Sequence, residues 1–342
     1  MRRLIALTLT ATPACLMLAT TAQAEVPAVV TDIPAVHSLA AQVMGELGQP
    51  AILLEQGGNA HSYQMKPSQA RALQNADLIF WIGPEMTPWL DRAIEGVALS
   101  GKPVALLQAE GTFRREFGDG AEGHAHEGEG DDHPEHADDN AHDDHAHEGE
   151  NHEGHDDHAD EVPEDDHDHS GTDPHAWLDP ANAQAWLGVI AAELAAADPE
   201  NAATYSANAD AASEAIAALD TQIAATLAPV QGRPFVVFHD AYGYFAGHYG
   251  LTIAGTVSLG DAAAPGAERL TEIRHLLEDE AAVCIFPEAQ HDPKQIEALV
   301  EGTPVKLGAA LDPSGSNLPF GPDLYPALLT TMAETLEGCL KD

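Results

Sequence analysis

Residues 119–169 of this 342-residue chain hold 12 His, 22 Asp or Glu and no Lys or Arg, with Val162 as the only large aliphatic side chain. Such a stretch has nothing to bury, so it predicts a disordered loop and leaves folding to its flanks. Neutral imidazoles suit zinc, copper or nickel, and carboxylates attract any divalent cation. An acidic spacer has no reason to be almost one-quarter His, so the tract reads as a weak, multiple collector of metal. Just beyond it stands the compact sequence Asp173-Pro174-His175-Ala176-Trp177-Leu178-Asp179-Pro180, which is expected to hold what the tract gathers.

The chain opens with Met1-Arg2-Arg3, runs apolar from Leu4 to about Ala19 and reaches Ala22-Gln23-Ala24 before Glu25. This is the pattern of a secretory signal peptide over residues 1–24. Anchoring as a lipoprotein at Cys15 fits less well, because apolar sequence continues past Cys15 and Thr12 stands where Leu is usual. No later apolar run approaches the ~20 residues that cross a bilayer. The expected product is exported to the periplasm without membrane insertion.

Taking away leader and tract leaves 267 residues for folded structure, enough for two lobes of ordinary domain size. The net charge of −42 becomes −44 when Arg2 and Arg3 leave, and half of it lies in the tract. Nucleic acid and anionic membrane surfaces are thereby excluded as partners. Cys15 departs with the leader, and the remaining pair, Cys284 and Cys339, suggests one disulfide in an oxidising compartment.

Short β-prone runs alternate with amphipathic segments on both sides of the tract. Ala28 to Thr31, Ala51 to Leu54, Leu78 to Ile82 and Val104 to Leu107 read as strands, with helices near 34–46, 67–76 and 87–97. A helix from Pro180 stops near Asp198-Pro199, and a second runs from Pro199 to about Pro229. Tyr205, Ala209, Ala212, Ile216, Leu219, Ile223 and Leu227 recur along it at steps of three and four, one apolar stripe long enough to serve both lobes. The alternation then resumes, with strands at Phe235 to Phe238, Ile253 to Ser258, Val283 to Phe286 and Val305 to Leu307, and helices near 241–249, 267–279, 293–301 and 323–340. The predicted class is α/β: two lobes with parallel sheets flanked by helices, bridged by one long helix. The expected division is an N-terminal lobe over 25–198, a linking helix over 199–230 and a C-terminal lobe over 231–342.

Ligands of open α/β sheets bind beyond the carboxyl ends of the strands. Three His stand there: His61 after the second strand, His175 after the fourth by way of the tract, and His239 ending Val236-Val237-Phe238. Three imidazoles at equivalent positions in two lobes point to a shared metal. After the seventh strand, Glu288 or Asp292 could add an oxygen, and three nitrogens with one oxygen match zinc better than oxygen-preferring manganese. His37, His248 and His275 lack such context and are read as structural or solvent-facing. Enzyme motifs are missing: the sequence contains no His-Glu-x-x-His, no Gly-x-Ser-x-Gly elbow and no P-loop. A zinc hydrolase with three His and a bound water stays open at this point.

The stretches His61-Ser62-Tyr63-Gln64-Met65-Lys66-Pro67-Ser68, Asp173 to Pro180, and Phe238-His239-Asp240-Ala241-Tyr242-Gly243-Tyr244-Phe245 resemble the signatures of metal-binding periplasmic receptors of ABC importers. With the His-rich loop and the cysteine pair, the resemblance is to the zinc-binding members and covers essentially all of the mature chain. It implies two lobes joined by a rigid helix, Zn2+ bound between them by His61, His175 and His239, and delivery to a membrane permease by a monomeric receptor that is not an enzyme. Zinc members often carry an acidic residue before the first His, where Ala60 stands here. The resemblance places Asp292 as the fourth ligand, with Glu288 and water as alternatives. A manganese or nickel receptor, and a periplasmic zinc buffer working through the tract alone, are the rival readings.

Overall fold

A computed structural model describes residues 26–118, 171–258, 260, 265–279 and 281–341; the expected signal peptide and the tract over 119–169 lie outside the described residues. The apolar runs become short strands, and the central ones are buried from end to end, as a parallel sheet covered on both faces requires. β1 (Val29–Thr31), β2 (Ala51–Ile52), β3 (Leu78–Trp81) and β4 (Lys102–Ala105) form one sheet in the order β2-β1-β3-β4, all parallel. The connecting helices α1 (Pro34–Met44), α2 (Pro67–Asn75) and α3 (Pro88–Gly96) each open on Pro, whose fixed φ and missing N–H suit a first helical position. The fourth strand ends two residues earlier than expected. Leu106 and Leu107, both buried, turn instead into a short 3-10 helix.

Asp179 caps α4 (Pro180–Ala197), accepting the Ala181 N–H at 2.9 Å. The long helix α5 (Ala202–Leu227) has 26 residues, which makes it ~39 Å long. It opens three residues beyond Pro199, the expected start. The buried Asp198 carboxylate organises the turn between the helices, accepting from Asn201 Nδ2 at 2.6 Å and from the Tyr205 hydroxyl at 2.9 Å. The predicted stripe is real: Tyr205, Ala209, Ala212, Ile216, Ile223 and Leu227 are buried, and Leu219 packs partly buried beside them.

The second half repeats the first. β5 (Phe235–His239), α6 (Gly243–Tyr249), β6 (Ile253–Ser258), α7 (Ala267–Glu278), β7 (Cys284–Phe286), α8 (Lys294–Val300) and β8 (Lys306–Leu307) build a parallel sheet in the order β6-β5-β7-β8. The last helix, α9 (Leu324–Leu340), returns to the first half and packs on α1 and α5. Ser38 Oγ donates to the Pro322 carbonyl at 2.8 Å and accepts the Tyr325 N–H at 3.0 Å. The Cys284–Cys339 disulfide ties the same helix to β7.

One hydrophobic cluster runs through both halves, joining Leu78 and Phe80 of the first sheet to Phe235, Val237 and Phe286 of the second through Trp177, Trp186, Tyr205 and Tyr325. Each large side chain buried in full is worth about 1.5–3 kcal/mol, so the halves cannot separate without exposing shared core. A polar clamp adds to it: His248 of α6 lies between Asp179 Oδ1, 3.0 Å from Nδ1, and Asp220 Oδ1 of α5, 2.9 Å from Nε2.

Two predictions follow from these ties. Linking Cys284 to Cys339 closes a separation of 55 residues, which chain entropy values at about 4 kcal/mol with less often realised. Replacing both by Ala should lower unfolding stability by about 2–4 kcal/mol in denaturant titration, and thiol titration of denatured, unreduced protein should find neither free. For His248, hydrogen bonding to Asp179 and then to Asp220 raises the imidazole from 6.5 to about 9. A group whose folded value is raised stabilises fully below its unfolded value and loses that contribution as pH climbs through the folded one. The melting-temperature gap between wild type and His248→Gln should therefore be full below pH 6.5 and close as pH passes 9; a gap independent of pH would show that the imidazolium contributes nothing.

Candidate metal centre

The carboxyl ends of the two sheets face one another, and three imidazoles meet between them. His175 follows the ribbon formed by Glu116 and Thr172, where Phe117 N–H donates to the Gly171 carbonyl and Asp173 N–H to that of Arg115. Asp173 then folds back on His175, its Oδ1 accepting both the backbone N–H at 2.9 Å and ring Nδ1 at 2.7 Å. A short 3-10 turn over Ala176–Leu178 leads from His175 into α4. Trp177 anchors this turn from below: its Nε1 donates to the Pro313 carbonyl at 2.9 Å, and its own carbonyl accepts the Tyr325 hydroxyl at 2.8 Å.

His239, the last residue of β5, is oriented in the same manner. Glu288, two residues beyond β7, places Oε1 2.5 Å from His239 Nδ1 and also accepts the Tyr242 hydroxyl at 3.0 Å. His61 comes from the loop between β2 and α2. Asn59 Oδ1 accepts the N–H groups of His61 and Ser62 at 2.8 and 3.2 Å, and Trp89 Nε1 donates to the Ala60 carbonyl at 2.6 Å. Ala60 itself is buried and offers no donor atom to a metal from its methyl side chain.

One nitrogen from each of His61, His175 and His239 lies within 4.8 Å of the others. The ring centroids are 5.4 Å apart for His61 and His175, 5.3 Å for His175 and His239, and 6.2 Å for His61 and His239. With Nδ1 of His175 and His239 engaged by carboxylates, both rings are the tautomer that offers Nε2 outward. His175 Nε2 is buried and makes no hydrogen bond, a nitrogen lone pair kept from water. Zn–N bonds of about 2.0–2.1 Å put tetrahedral donors about 3.4 Å apart, a side-chain adjustment from the spacing seen. His175 and His239 are buried while His61 is half-buried, so the group opens to solvent on the His61 side.

The oxygen candidates fall elsewhere. Glu288 spends Oε1 on His239 and Tyr242, and its Oε2 is 4.0 Å from His291 Nε2. Asp292 is exposed at the start of α8, accepting the Lys294 N–H at 3.1 Å, and is not brought to the three imidazoles. His37 is buried, its Nε2 3.2 Å from the Pro50 carbonyl, and His275 is exposed, as their sequence context suggested. The orienting roles of Asp173 and Glu288 were missed in the sequence. The Asp-x-His spacing was a signal for the first; for the second, 49 positions from its His, only the topology tells.

The chain is also similar to known proteins over most of its length. Residues 29–339 match the family described as zinc-uptake complex component A, periplasmic. The chain is 53% identical over 319 residues to the high-affinity zinc uptake system protein ZnuA of Paracoccus denitrificans, covering 93% of each chain. It is 39% identical to the ZnuA of Brucella abortus over 91% of each. A crystal structure of ZnuA superposes with a TM-score of 0.67 at 22% identity, over 92% of this chain and 99% of that one, and carries the same fold.

Glu288→Gln keeps the shape of the side chain but removes the charge that holds His239 Nδ1. Zinc affinity should fall by about 10–100-fold, the usual cost of losing a partner behind a metal ligand, as read by competition with a chromophoric chelator. His175→Ala should cost well over that, and an unchanged affinity would remove His175 from the centre.

Proposed function

This chain belongs to the family of periplasmic zinc-uptake components, and from that membership we propose that it is a high-affinity receptor that captures Zn2+ and delivers it to the permease of an ABC importer. The observation that carries the reading is the convergence of His61, His175 and His239 from the carboxyl ends of two sheets, with a buried, unbonded nitrogen on His175. In this reading the three imidazoles are the protein ligands and water fills the fourth position, since Glu288 is committed to His239 and Asp292 stands apart.

Capture rather than turnover is the chemistry. The family is one of solute-binding receptors, and the carboxylates beside the centre hold ligand nitrogens instead of standing as a general base. Imidazoles favour zinc over manganese, which draws oxygen ligands. Asp173 and Glu288 together offset the charge of a divalent ion, so a buried cation is compensated within the site. Among the described residues no helix is long and apolar enough to cross a membrane, in keeping with a periplasmic family. We assign residues 1–24 to the export signal, residues 25–198 and 231–342 to the two lobes with 199–230 linking them, and the monomer as the working state. The His-rich tract would collect zinc weakly and pass it on, since Glu116 and Thr172, which flank it in sequence, pair just before His175.

Calorimetry tests the whole reading. The full chain should show one tight zinc site plus several weak ones, and deletion of residues 119–169 should remove the weak sites alone. Loss of tight binding in the deletion variant would leave a metal buffer in place of a receptor. Tighter binding of manganese than of zinc would shift the cargo.

A further inference from the structure

Helix α6 starts four residues after His239 and belongs to the second half, yet two of its polar side chains end on the first. The Tyr244 hydroxyl accepts the Arg115 N–H and donates to the Asp173 carbonyl, both at 2.9 Å, closing over both strands of the ribbon that leads into His175. One turn on, His248 spans Asp179 and Asp220 at 3.0 and 2.9 Å. His175 therefore sits between two residues, Asp173 and Asp179, that are each gripped from α6. Asp173 is also the residue that orients the His175 ring, and Asp179 caps the helix that follows it.

We propose that α6 is a brace fixing the separation of His175 and His239, so that Tyr244 and His248 are positioning residues that set how tightly and how long zinc is held. The chemistry of each contact suits a fixed strut. The Tyr244 hydroxyl is fully buried, and burial pushes it up to about 12, so it stays a donor. The His248 cation meets a carboxylate on each ring nitrogen, a charge-assisted contact on either side. Asp220 lies on α5, so its contact with His248 anchors the brace to the long helix. Preorganised ligands bind more tightly because less ordering is left to do on binding.

The inference rests on the three-imidazole reading of the centre, and the experiment separates the two. Tyr244→Phe, His248→Gln and the double variant are compared with wild type in the full chain. Zinc affinity is measured by chelator competition, zinc release into excess EDTA by stopped flow, and the melting temperature of the metal-free protein by calorimetry. The double variant should bind zinc about tenfold more weakly and release it correspondingly faster, on the scale of contacts lying behind metal ligands. A lowered melting temperature with unchanged affinity and release would make α6 a stabilising contact only and overturn the proposal. If the double variant does not fold, Tyr244→Phe decides alone, since it deletes one oxygen and leaves the ring packing. Should His175→Ala leave the affinity of the parent protein intact, the reading of the centre fails whatever α6 does.

Discussion

Everything at the centre depends on a carboxylate taking the Nδ1 side of an imidazole. Asp173 does this for His175 within three residues, and Glu288 does it for His239 across 49. Without that contact a buried imidazole could turn or change tautomer, and either removes the lone pair a metal needs. With it, two rings are held edge to face, their centroids 5.3 Å apart and their planes at 64°, at a position where water cannot solvate them. A cation arriving there meets nitrogens already desolvated and negative charge already placed behind them.

Such an arrangement requires the two sheets to keep their places. The single core shared by both halves, the uninterrupted α5 and the return of α9 to α1 and α5 supply that constraint from three directions. Motion that opened the centre wide would expose Trp177, Tyr325 and their neighbours. Smaller motion is available at the loop of His61, the half-buried ligand candidate, which is held by Asn59 and by the Trp89 contact to Ala60 rather than by the shared core.

Much of this was legible in the sequence because the signals were periodic or topological. Apolar runs separated by amphipathic segments announced parallel sheets, and His residues at the ends of those runs announced the centre. The stripe from Tyr205 to Leu227 named the buried face of α5 almost residue by residue. What escaped was set by side chains that pair across the fold. Nothing local distinguishes His248, a clamp between two acids, from His275 at the surface, since its partners lie 28 and 69 positions away. Asp198 delayed the start of α5 past Pro199 by hydrogen bonding that propensity does not register. Asp292 follows a strand end as a ligand would, but its carboxylate serves the backbone at the start of α8.

The return of α9 also governs when the molecule can be finished. Ser38, on the first helix, bonds to Pro322 across 284 residues of sequence, and the face of α1 beneath it has no cover until the final helix exists. Contacts so remote close late, because the entropy of bringing the ends together is lost before any of them forms. The first half therefore cannot close its core until the last segment of the chain has been synthesised, so the two ends of the sequence are finished together.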